Sequence, residues 1–435
     1  MRVLVVGGGG REHALCWALH RDAAASVADL TLFAAPGNPG TASLATNLPI
    51  PATAVDDLVA AVRDRDIDVT IIGPEAPLAA GLADGLRDDG RAVFGPTAAA
   101  ARLESSKAYA KEVMHRAGVP TAKSAAFVGI GPALEYIGNH PEPLVVKASG
   151  LAAGKGAVVC QSRIDAAKVV RAMLDGSLGE AGKEVLVEEF LEGEELSVLA
   201  LTDGERVLIL PPAQDHKRLG EGDTGPNTGG MGAYCPVSLA TDALVARVRT
   251  EIFEPVLREV AAQGSPYEGV LYAGLMILPD GTPSVLEFNA RFGDPETQAL
   301  LPALLPGFSE HIVAIAQRRW DPLPTQQVLA VDQAAVTTVL AARGYPDNPE
   351  KGVAIRLPDV KELGEDVIVF HAGTFRDNEG RLRTNGGRVL SVTGLGATVA
   401  IAAQASRAGA ERIAFEGKTW RRDIAWREIQ RAGAA

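Results

Sequence analysis

The chain has 435 residues, is 47% hydrophobic, 22% charged and 5% aromatic, and carries a formal net charge of −12. It is too long for one ordinary domain and can bury a sizeable core, while its acidic balance argues against a nucleic-acid partner, which needs a basic face. Cys16, Cys160 and Cys235 lack metal-ligand spacing, and the sequence has neither a signal peptide nor a run of about eighteen apolar residues. A cytoplasmic protein with reduced thiols and no membrane partner is expected.

Residues 1–104 read as an alternating β/α unit with a parallel sheet. Val3 to Val6, Leu30 to Phe33, Val69 to Ile72 and Ala92 to Phe94 are short apolar runs, the pattern of strands buried on both faces. Each ends in a Gly/Pro loop, at the edge where open α/β sheets bind ligands. Gly7 to Gly10 precede a helix that opens at Arg11. A dinucleotide fingerprint fails here: its third glycine position is Glu12, and the second strand ends in Phe33-Ala34-Ala35 without an acid. NAD(P) is therefore not expected. The loop is either a tight strand-to-helix turn or a backbone-amide nest for one phosphate.

A helix over about 105–120 carries Lys107 and closes at Gly118 and Pro120. Leu144 to Lys147 and Ala157 to Cys160 are strands flanking the small-residue loop 148–156. Such a loop can fold over a triphosphate, with Lys147 neutralising charge, but it is not a P-loop because it lacks G-x-x-x-x-G-K-[ST]. The strand Val185 to Leu191 then turns at Glu192 to Glu195. Its backbone edge can receive an adenine, and a carboxylate there can meet ribose hydroxyls; an acidic surface turn is the alternative.

Gln214 to Tyr234 reads as a long glycine-containing loop without regular structure, and such loops are usually functional. Its order Asp215-His216-Lys217-Arg218 suits a phosphorylated anion; His216 itself is expected to be structural. A helix over 241–263 leads to the strand 269–277. The Pro279-Asp280-Gly281 turn then pairs that strand with Ser284–Gln298 in a hairpin.

In Ser284–Gln298, Glu287, Asn289 and Arg291 share one face by the period of two, and Leu286, Phe288, Ala290 and Phe292 share the other. The carboxylate and amide oxygens suit an octahedral cation such as Mg²⁺, and the guanidinium suits a phosphate or carboxylate. Asp294 is expected to cap a helix with Pro295 at its first position. From about 325 onward the strands 335–340 and 367–371 and an alanine-rich helix over 397–408 read as a closing α+β domain, joined through a Pro322-Leu323-Pro324 linker.

Together, GGGGREHAL (7–15), APGNPGT (35–41), GPEAPL (73–78), KASGLAAGKG (147–156), VEEFLEGEE (187–195), QDHKRLGEGDTGPNTGGMGAY (214–234), LYAGLM (271–276) and LEFNARFGDPETQ (286–298) resemble the phosphoribosylamine–glycine ligase family of ATP-grasp enzymes. The resemblance runs in register from residue 1 to about 420. It implies an α/β and α+β multidomain fold: an N-terminal parallel-sheet domain (1–104), an ATP-grasp region (105–322, small lobe 121–192) and a small C-terminal domain (323–435). The implied reaction joins glycine to 5-phosphoribosylamine with cleavage of ATP to ADP and phosphate, in purine biosynthesis. A divalent ion, Mg²⁺ or Mn²⁺, is implied as cofactor, and a monomer is the working expectation.

Residue by residue, the resemblance implies that Lys107, Lys147 and the 149–156 loop, with Gly154, Lys155 and Gly156, hold the triphosphate. Glu188, Phe190, Leu191 and Glu195 correspond to adenine and ribose contacts, and Glu287 and Asn289 to metal ligands. Gly9, Gly10, Asn38, Glu75 and Pro77 correspond to the phosphoribosylamine pocket. Asp215, Arg291 and Asp294 correspond to residues near the reacting glycine and amine; with Lys147 they form the expected catalytic set. One position departs from the family pattern: Ser149 stands where Asp is expected in the flap, so that position keeps an acceptor but loses a charge.

Overall fold

Strands that alternate between two hydrophobic cores must be apolar at every position, and the first strand shows this. In the computed structural model, which describes residues 1–26, 29–151, 156–176, 178–321 and 328–434, Leu4 and Val6 enter one core and Val3 and Val5 another. Helices Val55–Asp64 and Leu82–Asp88 cover one face; helices Gly10–Ser26 and Phe308–Ala316 cover the other. The strands are β1 (Arg2–Gly7), β2 (Thr31–Pro36), β3 (Thr46–Asn47), β4 (Val69–Ile72) and β5 (Ala92–Phe94), all parallel in the order β3-β2-β1-β4-β5. The loops after β1, β2 and β4 meet where the strand order reverses, which is where such sheets form a crevice.

The helix Lys107–Ala117 starts at Ser106, whose hydroxyl accepts from the Tyr109 N–H, and ends at Gly118 with φ +67°. Both ends follow the sequence: a serine cap, and a glycine free to adopt the left-handed conformation. The small lobe is an antiparallel sheet of β6 (Ser124–Phe127), β7 (Leu144–Ala148), β8 (Ala157–Cys160) and β9 (Val185–Glu189), ordered β6-β9-β7-β8. Leu144, Val146, Ala148, Val185 and Val187 pack against helices Ile130–Asn139 and Arg163–Leu174. Alternation therefore turns Lys147 and Glu188 to the opposite face.

Next come β10 (Glu194–Thr202), β11 (Val207–Ile209), β12 (Gln214–Asp215), β13 (Arg218–Gly220), β14 (Thr224–Asn227), β15 (Gly232–Cys235), β16 (Gly269–Ile277) and β17 (Pro283–Asn289). The expected hairpin is β16–β17, at the edge of the antiparallel sheet β11-β10-β16-β17. The segment 214–234 is not the irregular loop that its glycines imply. β13 pairs with β14, and β12 and β15 join a sheet of their own. Glycine and proline lower strand propensity but do not prevent pairing when a partner strand is supplied from elsewhere.

That partner is the C-terminal region, with β18 (Ala334–Ala341), β19 (Val367–His371), β20 (Thr374–Arg376), β21 (Leu382–Thr384) and β22 (Arg388–Gly396). The sheet order is β12-β15-β18-β22-β19, so one sheet spans chain segments on both sides of residue 322. Helix Val399–Arg412 packs on it. The proposed Pro322-Leu323-Pro324 linker lies outside the described residues.

Candidate active site

β17 forms the floor of a cleft of about 400 Å³ lined from all three parts of the chain. Its pairing with β16 is interrupted: Gly274 faces Glu287 and Leu275 faces Val285, which leaves Leu286 as an extra residue. Such a bulge frees backbone groups from the ladder. The freed Leu286 carbonyl accepts a hydrogen bond from Lys147 Nζ at 3.0 Å. Glu287, Asn289 and Arg291 all line the cleft; Leu286 at the bulge and the buried Phe288 also border it, while Ala290 and Phe292 are buried away from it.

On the small-lobe side, Lys147 Nζ also lies 2.8 Å from Glu188 Oε2. The two are diagonal neighbours on adjacent strands, a distance long side chains can span. Glu188 Oε1 lies 3.2 Å from Lys111 Nζ, an ion pair without hydrogen-bond geometry. Lys111 in turn donates to Thr121 Oγ1 at 2.8 Å and to the Ala122 carbonyl at 3.0 Å. Burial draws the Lys111 ammonium below the ordinary lysine value, and Glu188 opposes that shift. Glu188 thus sits buried between two lysines. Lys107 lines the same cleft one helical turn from Lys111. Phe190 is exposed and Leu191 half-buried at the exit of β9; Glu195 pairs with Lys217 at 2.6 Å. Gly156 lines the cleft, whereas Gly154 and Lys155 lie outside the described residues.

Ser149, the departure in the flap, has a definite task. Its carbonyl accepts from Lys107 N at 2.8 Å and its hydroxyl from Ala108 N at 3.2 Å. These are otherwise unpaired N–H groups of the helix start. The neutral hydroxyl therefore ties the loop after β7 to the helix that carries Lys107.

The opposite side is a lattice of arginines and carboxylates. Arg291 Nη2 lies 2.9 Å from Glu104 Oε1 and 2.9 Å from Asn289 Oδ1, and its Nε lies 3.3 Å from Glu75 Oε2. Burial pushes the Glu104 carboxyl up, although Arg291 opposes this. Glu75 is also raised by burial, but Arg291 and Arg11 outweigh that and hold it below the ordinary range. Asp294 lies 3.3 Å from Arg388 and accepts from Gln298 Nε2 at 2.7 Å. It does not cap the helix, which begins at Glu296 with Pro295 before it and no side-chain cap. Its two oxygens are engaged elsewhere, one by Gln298 and one by Arg388, so the carboxylate is not turned toward the helix start expected from the sequence. Burial would raise Asp294, yet Arg388 and Arg11 keep it below the ordinary value.

The glycine loop reaches this lattice. Gly9 N donates to Glu12 Oε2 at 2.6 Å, and a Cβ at Gly9 would lie 2.8 Å from that oxygen. One at Gly10 would lie 2.6 Å from Gln298 Nε2. Glu12, which breaks the dinucleotide pattern, is thus what the glycines make room for. Asn38 is buried and holds loops together: its amide donates to the carbonyls of Gly8 at 3.0 Å and His371 at 2.8 Å, and its oxygen accepts from Gly40 and Thr41. Pro77 is buried in the short helix Glu75–Ala79, whose first residue, Glu75, faces the cleft.

Between the two sides stand Asp215 and Lys217, 3.4 Å apart. Burial, with Glu296 and Glu195 nearby, raises the Asp215 carboxyl to about 7 despite Lys217. Lys217 is held well above its ordinary value: burial would lower it, but Asp215 and Glu195 dominate. Glu296 accepts from Tyr272 Oη at 2.7 Å behind them. His216 points away from the cleft, as expected for a structural residue, and Arg218 is exposed.

A divalent ion suits the donors on β17. No described residue hydrogen-bonds or ion-pairs with the Glu287 carboxylate. Burial would raise its pKa, but Lys107, Lys217, Lys147 and Arg291 together hold it below the ordinary value, hence ionised. Asn289 adds an amide oxygen already shared with Arg291. Two protein oxygens, with waters and substrate phosphates completing the shell, are the usual set for Mg²⁺.

Sequence profiles described as phosphoribosylglycinamide synthetase match nearly the whole chain: the N domain over 1–104, the ATP-grasp (A) domain over 105–297 and the C domain over 335–427. The chain belongs to this family. A phosphoribosylamine–glycine ligase of Nostoc sp. is 47% identical over 431 residues, covering 98% of this chain and 99% of that protein. The crystal structure of phosphoribosylamine–glycine ligase from Thermotoga maritima superimposes with a TM-score of 0.85 at 36% identity, covering 97% of this chain and 100% of that one. Biotin carboxylase of Campylobacter jejuni shares the fold alone, with a TM-score of 0.74 at 14% identity over 96% of this chain and 92% of that one.

Within this synthetase fold the cleft contains residues that the motifs did not single out. Lys111 carried a usable signal, since it lies four residues after Lys107 and so shares its helix face. Arg11 lay within the GGGGREHAL motif without an assigned role, and Glu104 and Arg388 carried no signal: these three meet Phe292, Ala290, Arg291 and Asp294 only across the folded chain.

Proposed function

We propose that this chain ligates the glycine carboxylate to the amine of 5-phosphoribosylamine, converting ATP to ADP and phosphate. The observation that carries the reading is the single cleft in which the Lys111–Glu188–Lys147 cluster and the Arg291–Glu75–Glu104 and Asp294–Arg388 lattice face each other across Glu287 and Asn289. The small-lobe side, with Lys107, Lys147, Gly156, Glu188, Phe190, Leu191 and Glu195, takes the nucleotide. The lattice, with Gly9, Gly10, Asn38, Glu75 and Pro77 behind it, takes the phosphoribosylamine.

A carboxylate does not acylate an amine at useful rates, because oxide would have to leave. Attack of a glycine carboxylate oxygen on the γ-phosphorus of ATP replaces that oxide by phosphate and releases ADP. In-line transfer of this kind asks mainly for positioning and charge neutralisation. Lys147, held by Glu188 and the Leu286 carbonyl, supplies a fixed positive charge. A Mg²⁺ or Mn²⁺ ion held by Glu287 and Asn289 would neutralise the remaining phosphate charge. The amine then attacks the acyl carbon, the C–N bond forms, and phosphate leaves. Arg291 orients the acyl group. Asp215, raised to about 7, is matched to accept the proton that the amine sheds. Exclusion of water from the cleft would protect the acyl phosphate.

In this reading the reaction belongs to purine biosynthesis in the cytoplasm, consistent with three buried free thiols. The test supplies ATP and phosphoribosylamine with either glycine or bicarbonate and follows ADP. Glycine-dependent release is expected; bicarbonate-dependent release would move the chain to the carboxylases that share its fold.

A further inference from the structure

The cleft-lining strand around Asp215 has a second face. Along Gln214 to Lys217, alternate side chains point in opposite directions: Asp215 and Lys217 into the cleft, Gln214 and His216 away from it. Of the two residues facing away, His216 meets the last segment of the chain directly and Gln214 meets it through Glu194. His216 Nε2 accepts from Ala425 N at 2.9 Å. Gln214 Nε2 donates to Glu194 Oε1 at 2.8 Å, and the same Glu194 oxygen is gripped by Arg431. Beyond the strand, Arg421 is fully buried, which a guanidinium tolerates only when its donors are met. It donates to the Arg218 carbonyl at 3.1 Å, to Asp223 Oδ1 at 2.9 Å, and to both oxygens of Asp423 at 2.8 and 2.7 Å. Asp423 Oδ2 accepts from Gly222 N at 2.8 Å, and Arg427 lies 2.6 Å from Asp223.

We propose that residues 421–431 are a strap that positions the active-site strand, with Arg421 as its main positioning residue. It touches no substrate. By fixing the 218–223 turn and the back of His216 it sets where Asp215 and Lys217 stand, and Arg431 fixes the same strand from the Glu194 side. The strap itself stands on geometry alone; its effect on glycine kinetics rests on the function proposed above. Among the described residues the strap reaches the nucleotide side, built on β7 and β9, only indirectly: through Glu194, which Arg431 grips, and through Lys217, which pairs with Glu195 at 2.6 Å.

The decisive variant is Arg421→Met, examined in the full chain by amide hydrogen exchange without substrates and by steady-state kinetics. The amides of His216, Thr228 and Met231, hydrogen-bonded to Gly232, Lys217 and His216, report on the 214–231 segment. Their exchange is expected to accelerate roughly tenfold or more while amides of β9 and β10 stay unchanged, since local opening follows local contacts. The kcat/KM for glycine is expected to fall roughly ten- to hundredfold, as for a small misplacement of reacting groups, with a clearly smaller loss of ATP affinity carried through the Lys217–Glu195 pair. Arg421→Lys, which keeps charge but not the fork, is expected to remain defective. Asp223→Asn gives a milder version should Arg421→Met not fold. Unchanged exchange at 214–231 overturns the strap. So does faster exchange with normal glycine kinetics, or a parallel loss of ATP binding. Absence of glycine-dependent turnover in the unmodified protein would instead remove the proposed function, and the exchange result would still decide the strap.

Discussion

The two walls of the cleft are built differently. On the wall proposed for the nucleotide, Lys147 and Glu188 are diagonal neighbours in one small sheet, and Lys107 and Lys111 share one helix face. On the wall proposed for the acceptor, Arg11, Arg291 and Arg388 come from the N, ATP-grasp and C domains, and each makes a polar contact across a domain junction. The first wall can form within the small lobe and its flanking helix. The second exists only once three domains have docked. Charge pairing on the first wall is therefore local in sequence, whereas on the second it depends on docking of remote segments; on both, removing one partner leaves another buried charge short of its counter-ion.

Four substitutions sharpen or break this contrast. The largest effect is expected for Lys147→Ala, which removes a fixed positive charge from the phosphoryl side. Turnover should fall roughly 10²–10³-fold, and near-normal turnover at saturating ATP would count against its role. Arg388→Met tests the other wall. It strips Asp294 of its guanidinium and frees the carbonyls of Gly229 and Asp294. The kcat/KM for phosphoribosylamine should drop roughly ten- to hundredfold with the KM for ATP unmoved; equal loss for both substrates would mean the walls are not separable. Glu287→Gln should raise the Mg²⁺ concentration for half-maximal rate by roughly tenfold, and an unchanged titration would remove Glu287 as a ligand.

The smallest effect concerns Asp215 and is read in stability. Its carboxyl titrates near 7 in the folded chain, against about 4 unfolded. Because the folded value is raised, folding favours the protonated form, so this group's contribution is full below about pH 4 and is lost as pH rises through 7. Asp215→Asn cannot ionise. Its Tm relative to the unsubstituted chain should therefore climb between pH 5.5 and 8, by roughly 1–2 °C. Lys217 keeps Glu195 at 2.6 Å as a partner throughout. A Tm difference that shrinks over that range would contradict the buried, raised carboxyl.

What could be read in advance follows the same division. The polar row Glu287, Asn289 and Arg291 was legible because a strand's period of two is a local property. The glycine loop was legible as something other than a dinucleotide site because Glu12 occupies the wrong position for one. The cap expected at Asp294 failed, since that carboxylate answers to Arg388, 94 residues further along the chain. The segment 214–234 looked irregular because its strand partner, β18, begins only at Ala334.

The sequence by itself thus determined the parallel N-terminal sheet, the β16–β17 hairpin, three of the four small-lobe strands (β7, β8 and β9) and the identity of the polar row from Glu287 to Arg291, all of which depend on spacing within a few residues. Only the tertiary structure decided which arginine neutralises which carboxylate, that Ser149 ties the flap to the helix start, and that the last turns of the chain brace the strand bearing Asp215. Those choices depend on distances between residues remote in sequence, and desolvation makes the pairings all-or-nothing only once the domains have closed around them.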